Sequence, residues 1–481
     1  MLLIKKYLIK YRELSIEIKA SVAYTICNVL QRSLSFITLP LFTRLLTTQQ
    51  YGQATIYTSW ESLLTLIITL NLAYGSFSTA MIKFEEERGK YIASVNGLCT
   101  ILAVFFLLIY LPFRNTINVL LELPTPMVIF MIFSIVFNNS LQCWYGKERF
   151  EYRYKKVVIT TLLMTILSPT IAFVLIMCTV EKGYAKIVGT SVCTLLFGAI
   201  CYYHFLKEEK VFFDKKIWKY ALGFNIPLIP YYLSQTIFNQ SDRIMISHLE
   251  GQDKAAIYGV AYTLGITLSI VLNAINNSYT PWFYGKIKDG NRTENQKVSS
   301  GIAGLMAILL FGVISVTPEI IYVLASKEYM EAIWVVPPVA MSLLFLFYTQ
   351  LFVNFEFYFE EKKMLVFGTV ASAILNIVLN MLLIPKFGYI AAGYTTLFSY
   401  IIFTAMHYKM YKILLKKYEI LDDMFDYKTL IIIAILFMVM GFVMMALYKH
   451  IMARYFIIFV MLLLVWNNRK KVLSIFKTFK K

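Results

Sequence analysis

Charge is what this 481-residue chain has least of: only 15% of its residues are Asp, Glu, Lys or Arg, against about a quarter in an ordinary soluble domain. No polar stretch is long enough to enclose a core of its own, which excludes a soluble domain. The six cysteines, Cys27, Cys99, Cys143, Cys178, Cys193 and Cys201, form no CxxC and no Cys/His cluster. They suggest neither a disulfide framework nor a metal site, and read as buried thiols packing as small apolar groups. The four histidines, His204, His248, His407 and His450, fall at helix ends and do not cluster. GxxxxGK[ST], HExxH and GxSxG are missing, so nothing points to an enzyme, a cofactor or ATP hydrolysis by this chain. The amino terminus lacks the single apolar core and small-residue cleavage site of a signal peptide. Residues 1–20 mix Lys, Arg and Glu with apolar residues, and are expected to form an amphipathic cytoplasmic lead-in.

What is present is apolar: 59% of the residues are hydrophobic and 16% aromatic. Runs of roughly 20 apolar residues recur from end to end, each long enough to cross ~30 Å of hydrocarbon. The expected fold class is an all-α polytopic membrane protein of about fourteen transmembrane helices. They are placed at 21–46, 54–82, 92–112, 123–145, 156–179, 185–206, 219–247, 255–284, 298–324, 332–358, 363–384, 388–411, 427–448 and 452–467. Basic residues test that placement independently. With the amino terminus inside, the inner segments hold 35 Lys and Arg and the outer ones 8, as the positive-inside rule requires. Both termini are then cytoplasmic. The net charge of +18 follows from this topology and from contact with anionic lipids, not from nucleic-acid binding. Three basic residues remain inside spans: Arg32, Arg44 and Arg243.

Segments recur at an offset of about 200 residues. "LNLAYGSFSTAMIK" (Leu70–Lys83) parallels "LNAINNSYTPWFYGK" (Leu272–Lys286), and "TRLLTTQQYGQATIY" (Thr43–Tyr57) parallels "DRIMISHLEGQDKAAIYG" (Asp242–Gly259). "KGYAKIVGTS" (Lys182–Ser191) resembles "KFGYIAAGYTT" (Lys386–Thr396). A repeat of six helices keeps both halves in one orientation, which predicts two parallel six-helix bundles about a central cavity. The expected division is a first bundle at 21–206, a cytoplasmic linker at 207–218 and a second bundle at 219–411. A linker at 412–426, two extra helices within 427–467 and a basic tail at 468–481 complete it. This layout points to transport.

Polar residues inside spans are candidates for function, because they are costly there. In the first helix Asn28, Arg32 and Ser35 fall on one stripe, with Gln31 beside it. In the seventh, Asn225, Tyr232, Asn239 and Arg243 share a face, with Gln235 and Asp242 at its edge; Pro227 and Pro230 should kink it. Pro40 and Pro281 should bend the first and eighth helices similarly. The alternative for each residue is ordinary helix-to-helix adhesion. The carboxylates within spans, Glu61, Asp242 and Glu356, are candidates for ion or proton coupling, or serve as counter-ions to the arginines.

"LQRSLSFITLPLFTRLLTTQQYGQATIY", "INNSYTPWFYGKIK" and the six-plus-six-plus-two layout resemble Wzx-type bacterial polysaccharide repeat-unit flippases, of the multidrug/oligosaccharidyl-lipid/polysaccharide (MOP) exporter superfamily. The resemblance covers about residues 15–410. It implies a short oligosaccharide on undecaprenyl diphosphate as substrate, moved from the inner to the outer leaflet of the bacterial cytoplasmic membrane by alternating access under an ion gradient. Polysaccharide polymerase and glycosyltransferases are the implied partners. The diphosphate would meet Arg32 and Arg243, since guanidinium makes bidentate bonds to phosphate. Asn28, Gln31, Ser35, Asn225, Tyr232, Gln235 and Asn239 would bond sugar hydroxyls. The competing readings are a lipid II flippase, a multidrug/cation antiporter of the same superfamily, and a membrane scaffold of a polysaccharide assembly complex.

Overall fold

The computed structural model describes residues 15–290, 292–420 and 422–467. Among them are eighteen α-helices, a few 3-10 turns and no strand. Nine of the described helices are long and apolar enough to cross a membrane on composition alone. Several of the other expected spans are broken, or have polar residues that lower their hydropathy. The chain divides into two compact units, Met1–Thr236 and Ile237–Lys481.

The first unit contains α1 (Ile16–Leu45), α2 (Thr48–Thr69), α3 (Phe77–Lys83), α4 (Arg88–Tyr110), α5 (Arg114–Leu121) and α6 (Thr125–Phe150). α7 (Tyr154–Cys178), α8 (Lys182–Glu209), α9 (Lys215–Asn225) and the start of α10 (Ile229–Glu250) follow. Ser15 caps α1, and Thr47 with Gln50 makes a capping box at α2. The expected span 54–82 is broken: Leu70 and Asn71 both adopt positive φ, ending α2, and α3 starts afresh at Phe77. Asn tolerates this left-handed conformation; for leucine it is an outlier. The expected span 219–247 is broken as well. α9 gives way to a 3-10 turn at Ile226–Leu228 before α10, because Pro227 and Pro230 cannot donate to the helical ladder. α1 runs through Pro40 without interruption. Asp214 caps α9 by accepting from the amides of Lys216 and Ile217. Those bonds, with Lys90 at 3.2 Å, hold its carboxyl below the usual carboxylate range.

Helix α8 is the hub of this unit, packing against α7, α6, α2 and α4. Small residues make that approach possible. A Cβ on Gly189 would lie 2.2 Å from Ala172 Cα of α7, and one on Gly198 would lie 2.2 Å from the Phe137 carbonyl oxygen of α6.

The second unit contains the rest of α10, α11 (Gln252–Lys288), α12 (Arg292–Ser315), α13 (Thr317–Leu324), α14 (Val336–Tyr358), α15 (Lys362–Phe387), α16 (Ala391–Lys417), α17 (Tyr427–Ala446) and α18 (Ile451–Asn467). The expected span 298–324 is split, with Pro318 in the first turn of α13, whereas α11 continues through Pro281. α14 is buried along most of its length and packs on α16, α11, α12 and α17. Phe352 and Phe355 of α14, Tyr411 of α16 and Phe425 from the segment before α17 interlock at ring separations of 4.8–5.5 Å. Outward faces carry exposed apolar side chains, among them Ile159, Ile431 and Phe456, as a lipid-facing surface requires. Five cysteines are buried, but Cys178, at the end of α7, is exposed.

Gly189→Ala should force α7 and α8 apart, at a cost of about 1–3 kcal/mol from overpacking. The melting temperature of the purified protein should fall, whereas Gly304→Ala, with nothing within 4 Å of its Cβ position, should leave it unchanged.

Candidate functional site

The first unit encloses a cavity of about 620 Å³ between α1, α6, α7 and α8. It runs from Tyr24 and Arg149 at one end to Phe42 and Thr190 at the other. Eighteen residues separate Tyr24 from Phe42 along α1, which is ~27 Å at ~1.5 Å per residue, nearly the thickness of the hydrocarbon layer. Asn28, Gln31 and Ser35 of α1 line it, as do Asn138 and Gln142 of α6 and Thr161, Thr165 and Ser168 of α7. No carboxylate is among its described lining residues. Arg149, whose guanidinium lies 5.5 Å from the Tyr24 ring centre, supplies positive charge at one end. Near the other, the Lys186 ammonium sits 3.4 Å from the Tyr51 ring centre and 5.5 Å from that of Phe42.

Several hydroxyls of this wall are satisfied within their own helices. Ser35 donates to the Gln31 carbonyl at 3.1 Å, Thr165 to Thr161 at 2.6 Å and Thr190 to Lys186 at 2.9 Å. Each keeps oxygen lone pairs for a ligand donor.

A smaller chamber of about 270 Å³ adjoins this cavity and shares Asn138 and Gln142 with it. It forms where α2 breaks. Glu61, Ser62 and Thr65 of α2 line it, with Asn71 and Tyr74 from the broken segment and Asn139 from α6. Tyr74 donates to Gln142 Oε1 at 3.0 Å, and Gln142 donates to Asn138 at 3.1 Å.

The second unit holds a closed polar network around Asp242, which is 1% exposed. Tyr258 of α11 donates to Asp242 Oδ2 at 2.5 Å and Thr396 of α16 to the same oxygen at 2.8 Å. Asn380 of α15 donates to Oδ1 at 2.6 Å, and accepts from Thr395. Asn376 joins through Asn380 at 3.3 Å. Arg243 turns elsewhere, to Gln240 Oε1, to the Asn239 carbonyl at 3.4 Å and to the Tyr262 ring at 4.2 Å. Adjacent residues of a helix point about 100° apart. The expected Asp242–Arg243 counter-ion pair is thus replaced by two separate sets of neutral partners.

Other sequence candidates fall elsewhere. Asn225 is buried, accepting from the Ser76 amide at 3.1 Å and donating to Ser76 Oγ at 2.8 Å and to the Ala221 carbonyl at 2.8 Å. It joins α9 to the start of α3 and lines neither cavity. Tyr232, Gln235 and Asn239 line neither cavity either; Asn239 accepts from Tyr262 at 3.1 Å. Glu356 pairs with His407 at 2.6 Å, both fully buried, so His407 is a partnered interior residue and not a helix-end one. The side chain of Arg32 lies outside the described residues.

Sequence reasoning missed Arg149, Thr161, Thr165 and the α6 amides. The available signals were the spacing of Asn138 and Gln142, one helical turn apart, and the hydroxyls at 161, 165 and 168 in an otherwise apolar run.

A family model described as polysaccharide biosynthesis protein matches residues 18–285. An Lsg-locus protein of Haemophilus influenzae is 23% identical over 374 residues, covering 75% of this chain and 89% of its own. Among solved structures, the lipid II flippase MurJ in an inward closed conformation has a TM-score of 0.64 at 14% identity, covering 91% of this chain and all of its own. An inward-facing multidrug resistance MATE family transporter of the MOP superfamily has a TM-score of 0.60 at 13% identity, over 84% of this chain and all of its own. At these identities the two structures show the fold alone, an all-α polytopic membrane fold like theirs.

In a background with all six cysteines replaced, Ser35→Cys and Thr165→Cys should react with a water-soluble maleimide, since both positions line the cavity. Asn225→Cys, buried against Ser76, should not react; equal labelling at all three would rule out this assignment of the cavity wall.

Proposed function

Because the chain belongs to the polysaccharide biosynthesis protein family, we propose that it moves undecaprenyl-diphosphate-linked oligosaccharide repeat units from the inner to the outer leaflet of the cytoplasmic membrane. The observation that carries this reading is the long cavity walled by amides and hydroxyls, with a guanidinium at one end and no carboxylate among its described lining residues. Amides and hydroxyls pair with sugar hydroxyls, and arginine pairs with a diphosphate. Under the positive-inside orientation Arg149 lies at the cytoplasmic end, where the lipid-linked substrate is made. Arg32, four residues after Asn28 in α1, is the second candidate for diphosphate contact. An exporter of organic cations would need acidic groups in this cavity, which disfavours the antiporter reading.

Energy coupling is assigned to Asp242. Its carboxylate is ringed by oxygen- and nitrogen-bearing side chains from three other helices, so gain or loss of a proton or monovalent cation there would change how those helices are held together. Glu356, already paired with His407, is the weaker coupling candidate. Pathway partners, polymerase and glycosyltransferases, belong to the same reading.

In a strain dependent on this protein for its surface polysaccharide, Arg149→Ala at equal expression should cut export at least 10-fold. That is the scale of one charge-assisted hydrogen bond, ~1.5–3 kcal/mol; unchanged export would remove Arg149 from the substrate path. Asp242→Asn should abolish the dependence of transport on the sodium or proton gradient in proteoliposomes. A gradient dependence identical to that of the unmodified protein would dismiss the site.

A further inference from the structure

The Glu61 chamber has features that diphosphate binding and ion coupling leave unused. Glu61 sits thirteen residues into α2, and has no hydrogen-bond or ion-pair partner among the described residues. A carboxylate at this depth costs at least ~2.5 kcal/mol unless something satisfies it. Asp242 shows the closed alternative, with three donors on its two oxygens. Glu61 instead faces open space bounded by Ser62, Thr65, Asn71, Asn138 and Gln142. Asn139, a residue 4% exposed, also lines the chamber, and its Oδ1 atom has no hydrogen-bond partner among the described residues.

The backbone is bent to make this space. Leu70 and Asn71 are held at φ 47° and 57°, a conformation that costs of order 1–3 kcal/mol for a residue with a side chain and that gathers at binding sites. The bend brings in Tyr74, which is 63% exposed and pinned by its hydroxyl to Gln142. An aromatic face, four amides, hydroxyls and a carboxylate therefore converge on about 270 Å³. That volume is below the ~300–1,000 Å³ of pockets for drug-sized ligands, and suits a single ring. A carboxylate can accept from two neighbouring hydroxyls at once, amides can both donate and accept, and an aromatic face covers the apolar side of a ring.

We infer that this chamber is a sugar subsite, in which Glu61 accepts a vicinal pair of hydroxyls from one pyranose of the glycan and Tyr74 covers its apolar face. The inference rests on the reading of the chain as a carrier of lipid-linked glycans, and it says where the glycan is read. The spacing fits. Gln142 and Asn138 lie seven and eleven residues before Arg149 on α6, ~10 and ~16 Å along the helix at ~1.5 Å per residue. With the diphosphate at Arg149, the chamber meets one of the first few sugars and not the lipid.

The test measures binding by the purified full chain, using native mass spectrometry, to bare undecaprenyl diphosphate and to the same lipid carrying one, two or three hexose or N-acetylhexosamine units. The unmodified protein should gain about 10-fold in affinity at one step of the series, the scale of a charge-assisted hydrogen bond. In Glu61→Gln and in Tyr74→Leu that ratio should fall toward one, with Glu61→Asp intermediate and melting temperatures confirming that each variant is folded. No step in the unmodified protein, or a step that survives in Glu61→Gln and Tyr74→Leu, overturns the inference. So does a Glu61→Gln protein that keeps the step but loses its gradient dependence, which would make Glu61 a coupling group. Failure of the broader reading looks different: bare undecaprenyl diphosphate would not bind, or Arg149→Ala would not weaken it.

Discussion

A carboxylate inside hydrocarbon must be given donors, and Asp242 receives them from α11, α15 and α16 at once. That requirement organises the second unit. Each bond crosses from α10 to another helix, and Asn380, Thr395 and Asn376 extend the network between α15 and α16. α16 is in turn tied to α14 by the Thr349–Thr404 contact at 3.0 Å and by Thr404 donating to the Phe345 carbonyl at 2.9 Å. Removing the carboxylate would leave hydroxyl and amide donors buried without acceptors, at ~1–3 kcal/mol each. The tight aromatic core around Phe352 and Tyr411 forms on helices whose relative positions these polar bonds also set. Nonspecific apolar attraction cannot register helices in lipid, because lipid tails compete equally well; directional bonds and close packing can.

The first unit meets the same constraint differently, keeping a space open instead of filling it. Close approach at Gly189 and Gly198 draws α7 and α6 onto α8, and the polar residues of α1, α6 and α7 then face one another across a gap. Ser35, Thr38 and Thr165 satisfy their hydroxyl donors on a carbonyl about one turn back, so this part of the wall is not starved of hydrogen bonds when empty. What a ligand finds is acceptor capacity and amides, with positive charge at Arg149. Such a wall costs little to leave wet and is selective for groups that donate hydrogen bonds.

Helical content, the membrane class and the polar stripe of α1 were legible from sequence because each is a sum or a period over a single segment. Partnership between segments was not. Arg149 looked like one of many basic residues at a cytoplasmic loop, and only the folded structure shows its guanidinium beside the Tyr24 ring. His407 and Glu356 are 51 residues apart, so their pairing could not be read from local pattern. Asn225 was misread for a related reason: helical spacing says which residues share a face, not whether that face meets a cavity or another helix. The break in α2 carries no proline. Its signals were Asn71 and Gly75, where an added Cβ would lie 1.9 Å from Asn225 Oδ1.

That last contact joins the two helix interruptions of the first unit. Breaking a helix within a membrane frees backbone amides that lipid cannot satisfy. The amide of Ser76, exposed by the break before α3, is taken by Asn225, which stands at the break after α9. Ser76 Oγ passes the link on to Tyr91 of α4 at 3.0 Å, and Gly75 gives Asn225 the room to reach it. The two discontinuities therefore satisfy each other, and neither can reform a continuous helix without stranding a buried polar group on its partner. Movement at one break must carry the other with it. Because the first break also holds Asn71 and Tyr74, the Glu61 chamber is mechanically linked through Asn225 to the end of α9.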